Sequence, residues 1–397
     1  MTERLNENEI PTDYRAGFIQ GKLIDEALAE NYIRHTLIGD PDADALIAYL
    51  STLSPEEAEN WLRQGIEIGL DGLADAPDEV RDFFAKMETV PAWFDPQKVN
   101  KGCAAFHRHS TMFVGAFVAG GLVEGFATLI SKSFCITGRV IDQGVRRLKQ
   151  NNLHLMEIML PGGLERYGDG WKLSMRLRLI HARIRLMLSH SQDWDTAAWG
   201  VPISAAHIGL ATTVFSALLL KRVKSLGVNL SEEERESFMM IWRYTGYLMG
   251  VPESILFDSE QSALHLQRVG AMCEPSPTYE SIIMANALIN SAPIVAGITE
   301  PKARRNLANY IYRISRALIG TELADQLNFP NHNPFGVLAF FRFKNGLGSL
   351  LQRLFPSLER RSRSGQFMQL LEVSLYNQNG IRYRMPGHLY AEQDQEL

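Results

Sequence analysis

Residues 175–186 read MRLRLIHARIRL, a segment in which a single histidine interrupts an apolar stripe and is flanked by four arginines. On a helix of 3.6 residues per turn, His181 and Ile184 share one face because they are three residues apart. Arg178 and Arg185 are three residues before and four residues after the histidine, so their side chains are expected to rise beside it. The segment therefore predicts a helix whose apolar face carries one imidazole.

The imidazole of His181 has two interpretations. A neutral imidazole that projects from an apolar wall is a metal ligand, and Arg178 and Arg185 beside it suit the propionate groups of a haem through charge-assisted hydrogen bonds. A lone histidine on an apolar helix face is more often a hydrogen-bonded core residue. This helix alone does not separate the two interpretations, so the rest of the chain has to be considered.

Composition excludes several classes of protein. The chain has 397 residues, of which 46% are hydrophobic and 21% charged, as in an ordinary globular enzyme and unlike a disordered chain. The three cysteines, Cys103, Cys135 and Cys273, show no paired spacing, which argues against a zinc site or a disulfide framework. The sequence has no metalloprotease, P-loop, nucleophile-elbow or dinucleotide-binding motif, so the commonest hydrolase, kinase and dehydrogenase classes are removed.

The charge of the chain is divided unevenly. Residues 1–96 hold 7 Lys and Arg against 21 Asp and Glu, a balance of −14, and the remaining residues carry +9. The arginines alternate with apolar residues rather than forming an open patch, so no nucleic-acid partner is predicted. The first residues contain no apolar targeting segment, and the cytoplasm is the expected location.

Helical periodicity dominates the chain and predicts an all-α protein. Segments of about 12 to 25 residues lie between Pro and Gly joints, as in helix bundles and globin-like folds. Helix starts are expected at Ser54-Pro55 and at Ser231, and a break is expected at Gly120-Gly121. The apolar runs 112–136 and 203–220 contain enough polar or charged residues to favour buried helices over membrane spans.

A carboxylate, Glu124, lies within the glycine-rich apolar segment GGLVEGFA at 120–127. Burying a carboxylate without a partner raises its pKa and costs several kcal/mol, so one that is kept there is a candidate general base. An ion pair with one of the many arginines is the alternative. The sequence leaves the two open.

Arg146 and Lys149 are three residues apart and share one helix face. A lysine that points into an apolar pocket can be neutral, and a neutral amine can occupy an axial position on iron. The alternative is the solvated basic end of a helix. His207, in the 203–220 run, is expected to be a satisfied core histidine.

Five short patterns, taken in order, resemble the latex clearing protein family, which also includes the fungal oxygenase of mycophenolic acid biosynthesis. The resemblance covers approximately residues 85–300 and is most specific in the histidine helix. The patterns are Gly-x-x-x-Gly-Phe-Ala from Gly121, Thr-Gly-Arg at 137–139, Arg-x-x-Lys at 146–149, Arg-x-x-His-Ala-Arg-x-Arg at 178–185 and Gly-x-Pro-Glu at 250–253.

That family implies a mostly helical protein with a globin-like core that holds one b-type haem. By this resemblance His181 is the iron ligand, and Lys149 sits on the other side of the iron in a closed state, with Arg146 beside it. Glu124 corresponds to a base that acts at the allylic position of the substrate. The implied reaction is oxidative cleavage of a carbon–carbon double bond by dioxygen.

The expected organisation has four parts. An acidic helical segment, 1–84, packs on an oxygenase-like haem-binding core at 85–300, which is followed by C-terminal helices at 301–383 and a mobile tail at 384–397. Residues 340–363 mix aromatic side chains with arginines and predict an ordinary amphipathic helix, with peripheral contact to a membrane surface as the alternative.

We therefore expect a haem-dependent oxygenase for a small hydrophobic, unsaturated substrate of isoprenoid or lipid type, with dioxygen as co-substrate and no membrane span. The oligomeric state is left open. Two other functions are kept as alternatives. One is a haem protein that binds or senses a gas or a lipid without turnover. The other is a haem-free interaction protein whose arginines form an internal salt-bridge network with the acidic N-terminal third.

Overall fold

The computed structural model describes residues 5–137 and 144–354, without the side chains of residues 147 and 347–354. Within these residues the regular structure is entirely helical, and no strand occurs in them. The predicted all-α class is confirmed. The acidic N-terminal part supplies five α-helices: α1 (Arg15–Lys22), α2 (Glu26–Thr36), α3 (Pro41–Leu50), α4 (Pro55–Glu67) and α5 (Asp78–Glu88).

Fifteen further α-helices follow in the described part of the chain. The first eight of them are α6 (Val99–Arg108), α7 (Ser110–Ala116), α8 (Leu122–Phe126), α9 (Ile130–Ile136), α10 (Gly144–Ile158), α11 (Asp169–Ser189), α12 (Thr196–Trp199) and α13 (Ala205–Thr213). The remaining seven are α14 (Leu219–Ser225), α15 (Glu232–Leu248), α16 (Glu260–Cys273), α17 (Tyr279–Val295), α18 (Pro301–Ile319), α19 (Thr321–Gln326) and α20 (Val337–Leu354).

Two helix starts follow the expected capping chemistry. Ser54 accepts a hydrogen bond from the backbone N–H of Glu57 just before α4, and Ser231 accepts one from Glu234 just before α15. In both cases the glutamate accepts a hydrogen bond from the backbone N–H of the serine. These capping boxes satisfy N–H groups that have no partner within the helix, so both predicted starts are confirmed.

The predicted break at Gly120-Gly121 is wrong. The chain stays helical from Ser110 to Phe126, and Phe117–Gly121 forms a π turn between α7 and α8. Tertiary packing overrides the low helix propensity of the two glycines, since both are buried. A second π turn, Val214–Leu218, joins α13 to α14 and packs on the first.

The apolar helix that contains the second π turn, Ala205–Ser225, is long and apolar enough to cross a membrane by length and composition. In its most apolar window, 78% of the residues are buried inside the protein. The bent pair formed by Ser110–Phe126 and Ile130–Ile136 passes the same test, with an 88° angle between its halves. Both apolar runs are therefore covered largely by other helices, as the sequence predicts.

The core consists of two apolar clusters, and α11 contributes to both. Met175 and Leu179 belong to the larger cluster, whereas Ile184 and Leu188 belong to the smaller one. The N-terminal helices pack on the same clusters, since α3 contacts α11 and α1 contacts α16. The domain limits at residues 84 and 300 stay predictions, and the limit at 383 and the tail at 384–397 lie outside the described residues.

Candidate functional site

The helices α10 and α11 lie side by side. On α11, the side chains of Leu177, Ile180 and His181 are half-buried. Arg178 and Leu179, which lie between Leu177 and Ile180 in the sequence, are buried. On α10, Lys149 is half-buried together with Val145, which is four residues earlier on the same face. The structure thus brings the predicted iron ligand His181 and the predicted amine Lys149 onto neighbouring helices, each on a half-buried face.

His154 fastens these two helices together, a role that the sequence analysis missed. Its Nε2 lies 2.9 Å from Oγ of Ser174, whose hydroxyl donates to the carbonyl oxygen of Gly170. The hydroxyl proton is therefore used, and Nε2–H of the imidazole donates to Oγ. Burial lowers the pKa of His154 to about 4, so this imidazole is neutral at pH 7.

Arg178 and Arg185 are bound to carboxylates of the N-terminal segment. Arg178 donates from Nε and Nη2 to Oδ2 and Oδ1 of Asp40, at 2.5 and 2.8 Å, and both side chains are buried. Arg185 donates from Nε to Asp44 at 2.8 Å and from Nη1 to the carbonyl oxygen of Ile203 at 2.9 Å. The predicted role toward haem propionates is left without support, because protein carboxylates already neutralise both guanidinium groups. They form the internal salt-bridge network that one alternative predicted.

Two glycines make room for these ion pairs. Gly250 has a φ of +79°, and a Cβ there would lie 2.1 Å from Oδ2 of Asp40 and 2.7 Å from Nε of Arg178. At Gly39 a Cβ would lie 2.5 Å from Nε of Arg185. The Gly-x-Pro-Glu pattern that begins at Gly250 is therefore explained by close packing against the Arg178–Asp40 pair.

Arg146 shares the half-buried face of α10 with Lys149, as the spacing predicts. In the Thr-Gly-Arg pattern, Thr137 is buried and donates to the carbonyl oxygens of the preceding helical turn. Residues 138 and 139 of that pattern lie outside the described residues. The roles of Arg146 and Lys149 at an iron atom stay predictions.

Glu124 is largely buried in α8 and is paired with Arg222 of α14. Nη2 of Arg222 donates to Oε1, while Oε2 is buried and accepts no hydrogen bond from the described residues. Burial raises the pKa of Glu124, against the opposing effect of the charges on Arg222 and Lys221. The ion pair that one interpretation predicted is therefore present, and the role of Glu124 as a general base stays a prediction. Oε1 is held in an ion pair, and Oε2 remains available to accept a proton.

The two π turns position this ion pair. Glu124 follows the turn Phe117–Gly121 by three residues, and Arg222 follows the turn Val214–Leu218 by four. The rings of Phe117 and Phe215 are 5.0 Å apart between centroids, where the turns meet. In known structures such π turns are frequent at functional sites, because they re-aim the side chains of an otherwise regular helix.

His207 is a satisfied core histidine, and that prediction is confirmed. Its Nδ1 lies 3.1 Å from Oγ of Ser204, and its Nε2 lies 3.0 Å from Oη of Tyr14 and 3.5 Å from Oε1 of Glu274. Tyr32 donates to the same carboxylate at 2.6 Å. Burial alone would raise the pKa of Glu274, but its interactions with His207, Tyr32 and the backbone N–H of Leu129 lower it. This buried cluster ties the N-terminal segment to the core.

Among residues 5–137 and 144–354, no three His, Cys, Asp or Glu side chains come together in the way that would hold a metal ion. A metal centre built from several protein ligands is therefore not found in this part of the chain. A haem iron needs only an axial protein ligand, because the porphyrin supplies its other nitrogens.

Comparison with known proteins points to one family. Residues 104–344, more than half of the chain, match the family model described as the catalytic domain of ER-bound oxygenase mpaB/B' and rubber oxygenase. A rubber oxygenase from Streptomyces sp. (strain K30) is 23% identical over 309 residues, which cover 73% of this chain and 70% of that protein. A solved structure of latex clearing protein LCP in the closed state has a TM-score of 0.62 at 19% identity, over 86% of this chain and 91% of that chain. At this identity the structural match shows the shared helical fold.

Proposed function

This chain belongs to the family of ER-bound mpaB/B' oxygenases and rubber oxygenases and is therefore an oxygenase, and from that premise we propose that it depends on haem b. The proposed substrate is hydrophobic and unsaturated, of isoprenoid or lipid type, and it is cleaved or oxygenated at a carbon–carbon double bond with dioxygen. The observation that carries the proposal is the half-buried imidazole of His181 beside the helix of Lys149. The two alternatives without catalysis, a haem protein that only binds or senses and a haem-free interaction protein, do not describe an oxygenase.

The residues around His181 fit a haem in their chemistry. His181 and Lys149 are nitrogen donors on packed helices, and Leu177, Ile180 and Val145 beside them are apolar and half-buried. Such surroundings suit a flat apolar macrocycle with a central iron. His181 would hold the iron, and Lys149 would offer a second nitrogen donor to the same group. When bound, the haem iron supplies the activation of dioxygen.

Glu124 is the proposed base. Arg222 holds Oε1, which leaves Oε2 to take the proton from the carbon next to the double bond of the substrate. A carboxylate in an apolar setting is a stronger base than one in water, because burial raises its pKa. Arg222 keeps the carboxylate oriented and limits that rise, so the residue remains ionised over more of the pH range.

The apolar character of two helices supports the proposed substrate class. Phe117 and Phe215 are in contact where the π turns meet, and the helix Ala205–Ser225 carries no acidic residue. Apolar walls favour a hydrocarbon ligand over a polar one and keep water away from a reactive oxygen species.

The test is an ultraviolet–visible spectrum of the purified protein, oxidised and then reduced with dithionite, together with a pyridine haemochrome assay. We expect a Soret band that corresponds to about one haem per chain. In His181→Ala the bound haem should fall at least roughly tenfold, because the residue that would hold the iron is gone. His190→Ala is the matched control, since His190 is exposed at the end of the same helix. Wild-type protein without a Soret band after expression with added haem would contradict the proposal.

A further inference from the structure

The helix α20 presents aromatic side chains to solvent. Phe340 and Phe343, three residues apart on one face of α20, are 58% and 71% exposed. Phe335, just before the helix, is 86% exposed. Exposed phenylalanines at helical spacing are costly in water, because each leaves a large apolar area unburied. We name these three residues, together with Arg342, Lys344 and Lys224, the aromatic–basic surface.

The side of α20 that carries Phe341 and Val337 is fixed to the protein, with Arg342 at its edge. Phe341 and Val337 are buried in the larger apolar cluster. Nδ2 of Asn345 donates to the carbonyl oxygen of Leu226 at 2.6 Å, and Nε of Arg342 donates to that of Ser225 at 3.1 Å. The helix is therefore anchored through one side, and the outward direction of Phe340 and Phe343 is set by that anchoring.

The charge around these phenylalanines is positive. Arg342 and Lys344 are exposed on α20, and Lys224 is exposed beside Ser225, the residue that Arg342 contacts. The sequence contains no Asp or Glu from residue 326 to residue 358, and none from residue 196 to residue 231. Cationic side chains around exposed aromatic rings match the interface of an anionic membrane, where rings enter the headgroup region and cations meet lipid phosphates.

We infer that the aromatic–basic surface docks this protein on the surface of a membrane that contains anionic lipids. The docking is peripheral, with Phe335, Phe340 and Phe343 inserted at the level of the headgroups and none of the helices α1 to α20 crossing the bilayer. It goes beyond the proposed oxygenase activity and does not depend on haem. A failure of either proposal is therefore visible without the other.

The experiment is flotation of the full chain with vesicles of phosphatidylcholine alone and of phosphatidylcholine with about one third phosphatidylserine. The wild type is expected to float with the anionic vesicles and to stay behind with the neutral ones. Binding should weaken severalfold when the salt is raised from about 0.1 M to about 0.5 M. Equal binding to both vesicle types, or none to either, would overturn the inference.

Variants separate the rings from the charges. Phe340→Ala/Phe343→Ala should lower the bound fraction at least roughly tenfold, and Lys224→Glu/Lys344→Glu should do the same at low salt. The matched control is Ile19→Ala/Leu23→Ala, an exposed apolar pair four residues apart in the acidic part of the chain. An equal loss in this control would overturn the inference.

A second copy of the chain is the other occupant that the experiment detects. If the surface serves self-association, the wild type shows a concentration-dependent dimer in sedimentation that Phe340→Ala/Phe343→Ala abolishes, and it does not float with anionic vesicles. That result would replace the membrane with a protein partner.

Discussion

Two buried ion pairs in this molecule each consist of one arginine and one carboxylate. They differ in how many of the two carboxylate oxygens accept a hydrogen bond. In the Arg178–Asp40 pair, both carboxylate oxygens accept hydrogen bonds from the guanidinium, and Asp40 also caps α3 through the N–H of Ala43. In the Arg222–Glu124 pair, only Oε1 is bonded to the arginine, and Oε2 is buried without a hydrogen bond from the described residues. A fully satisfied pair stabilises structure. A half-satisfied pair keeps one carboxylate oxygen able to accept a proton, and burying that oxygen without a hydrogen bond costs free energy.

The largest effect is expected where the satisfied pair is broken. Arg178→Ala should lower the free energy of unfolding by about 3–5 kcal/mol, because it leaves the Asp40 carboxylate buried without its partner. Urea unfolding followed by circular dichroism at pH 7 measures it. The control is Arg178→Leu/Asp40→Asn, which removes both charges, keeps the cap of α3 and should recover much of the loss. A loss below about 1 kcal/mol in the single variant would show that the pair is not structural.

Breaking the half-satisfied pair should affect activity instead. Glu124→Gln is expected to lower the rate of oxygen consumption with an alkene substrate by about 10²–10⁴-fold, because the amide cannot accept the proton. Its free energy of unfolding should fall by less than that of Arg178→Ala, since the amide keeps a hydrogen bond to Arg222 and the arginine side chain is 18% exposed to water. Glu234→Gln, in a half-buried pair with Arg108, is the matched control and should keep its activity. Equal activity in both variants would remove Glu124 from the mechanism.

The pH dependence of kcat/KM tests whether Arg222 positions Glu124 or acts only through folding. Because the pKa of Glu124 is raised, kcat/KM should fall on the acid side with a midpoint above the ordinary carboxyl value of 4.5. Arg222 opposes this rise, so Arg222→Gln should move the midpoint further upward, and Arg222→Lys should bring it back toward that of the wild type. A lower plateau with an unmoved midpoint would mean that Arg222 acts only through folding.

The smallest effect is expected at the second arginine of α11. Arg185→Ala should cost about 1 kcal/mol, because the side chain of Asp44 is 36% exposed and water can solvate it when the arginine is gone. The same urea titration measures the difference from Arg178→Ala. Equal losses in the two variants would mean that burial of the carboxylate does not decide the cost.

The sequence could predict the features that depend on neighbours along the chain. The caps at Ser54 and Ser231 involve residues three positions apart, and the helix that carries His181 was predicted from its own apolar period. The partners of Arg178 and Glu124 could not be found in this way. Arg178 is 138 positions from Asp40 in the sequence, and Glu124 is 98 positions from Arg222. Choosing one acidic or basic partner among many requires the tertiary fold. The same holds for His154, whose hydrogen bond to Ser174 joins two helices.

The π turn Phe117–Gly121 also has a consequence for the length of its helix. A π turn holds one residue more than the matching α-helical turn, so the helix Ser110–Phe126 carries a spare residue at this place. Deleting one residue within the turn would let the backbone close as a regular α-helix and leave Glu124 facing Arg222. A deletion elsewhere between the turn and Glu124 would rotate the carboxylate by about 100° away from its partner. Among homologues, single-residue gaps in this helix are therefore expected to fall within the turn.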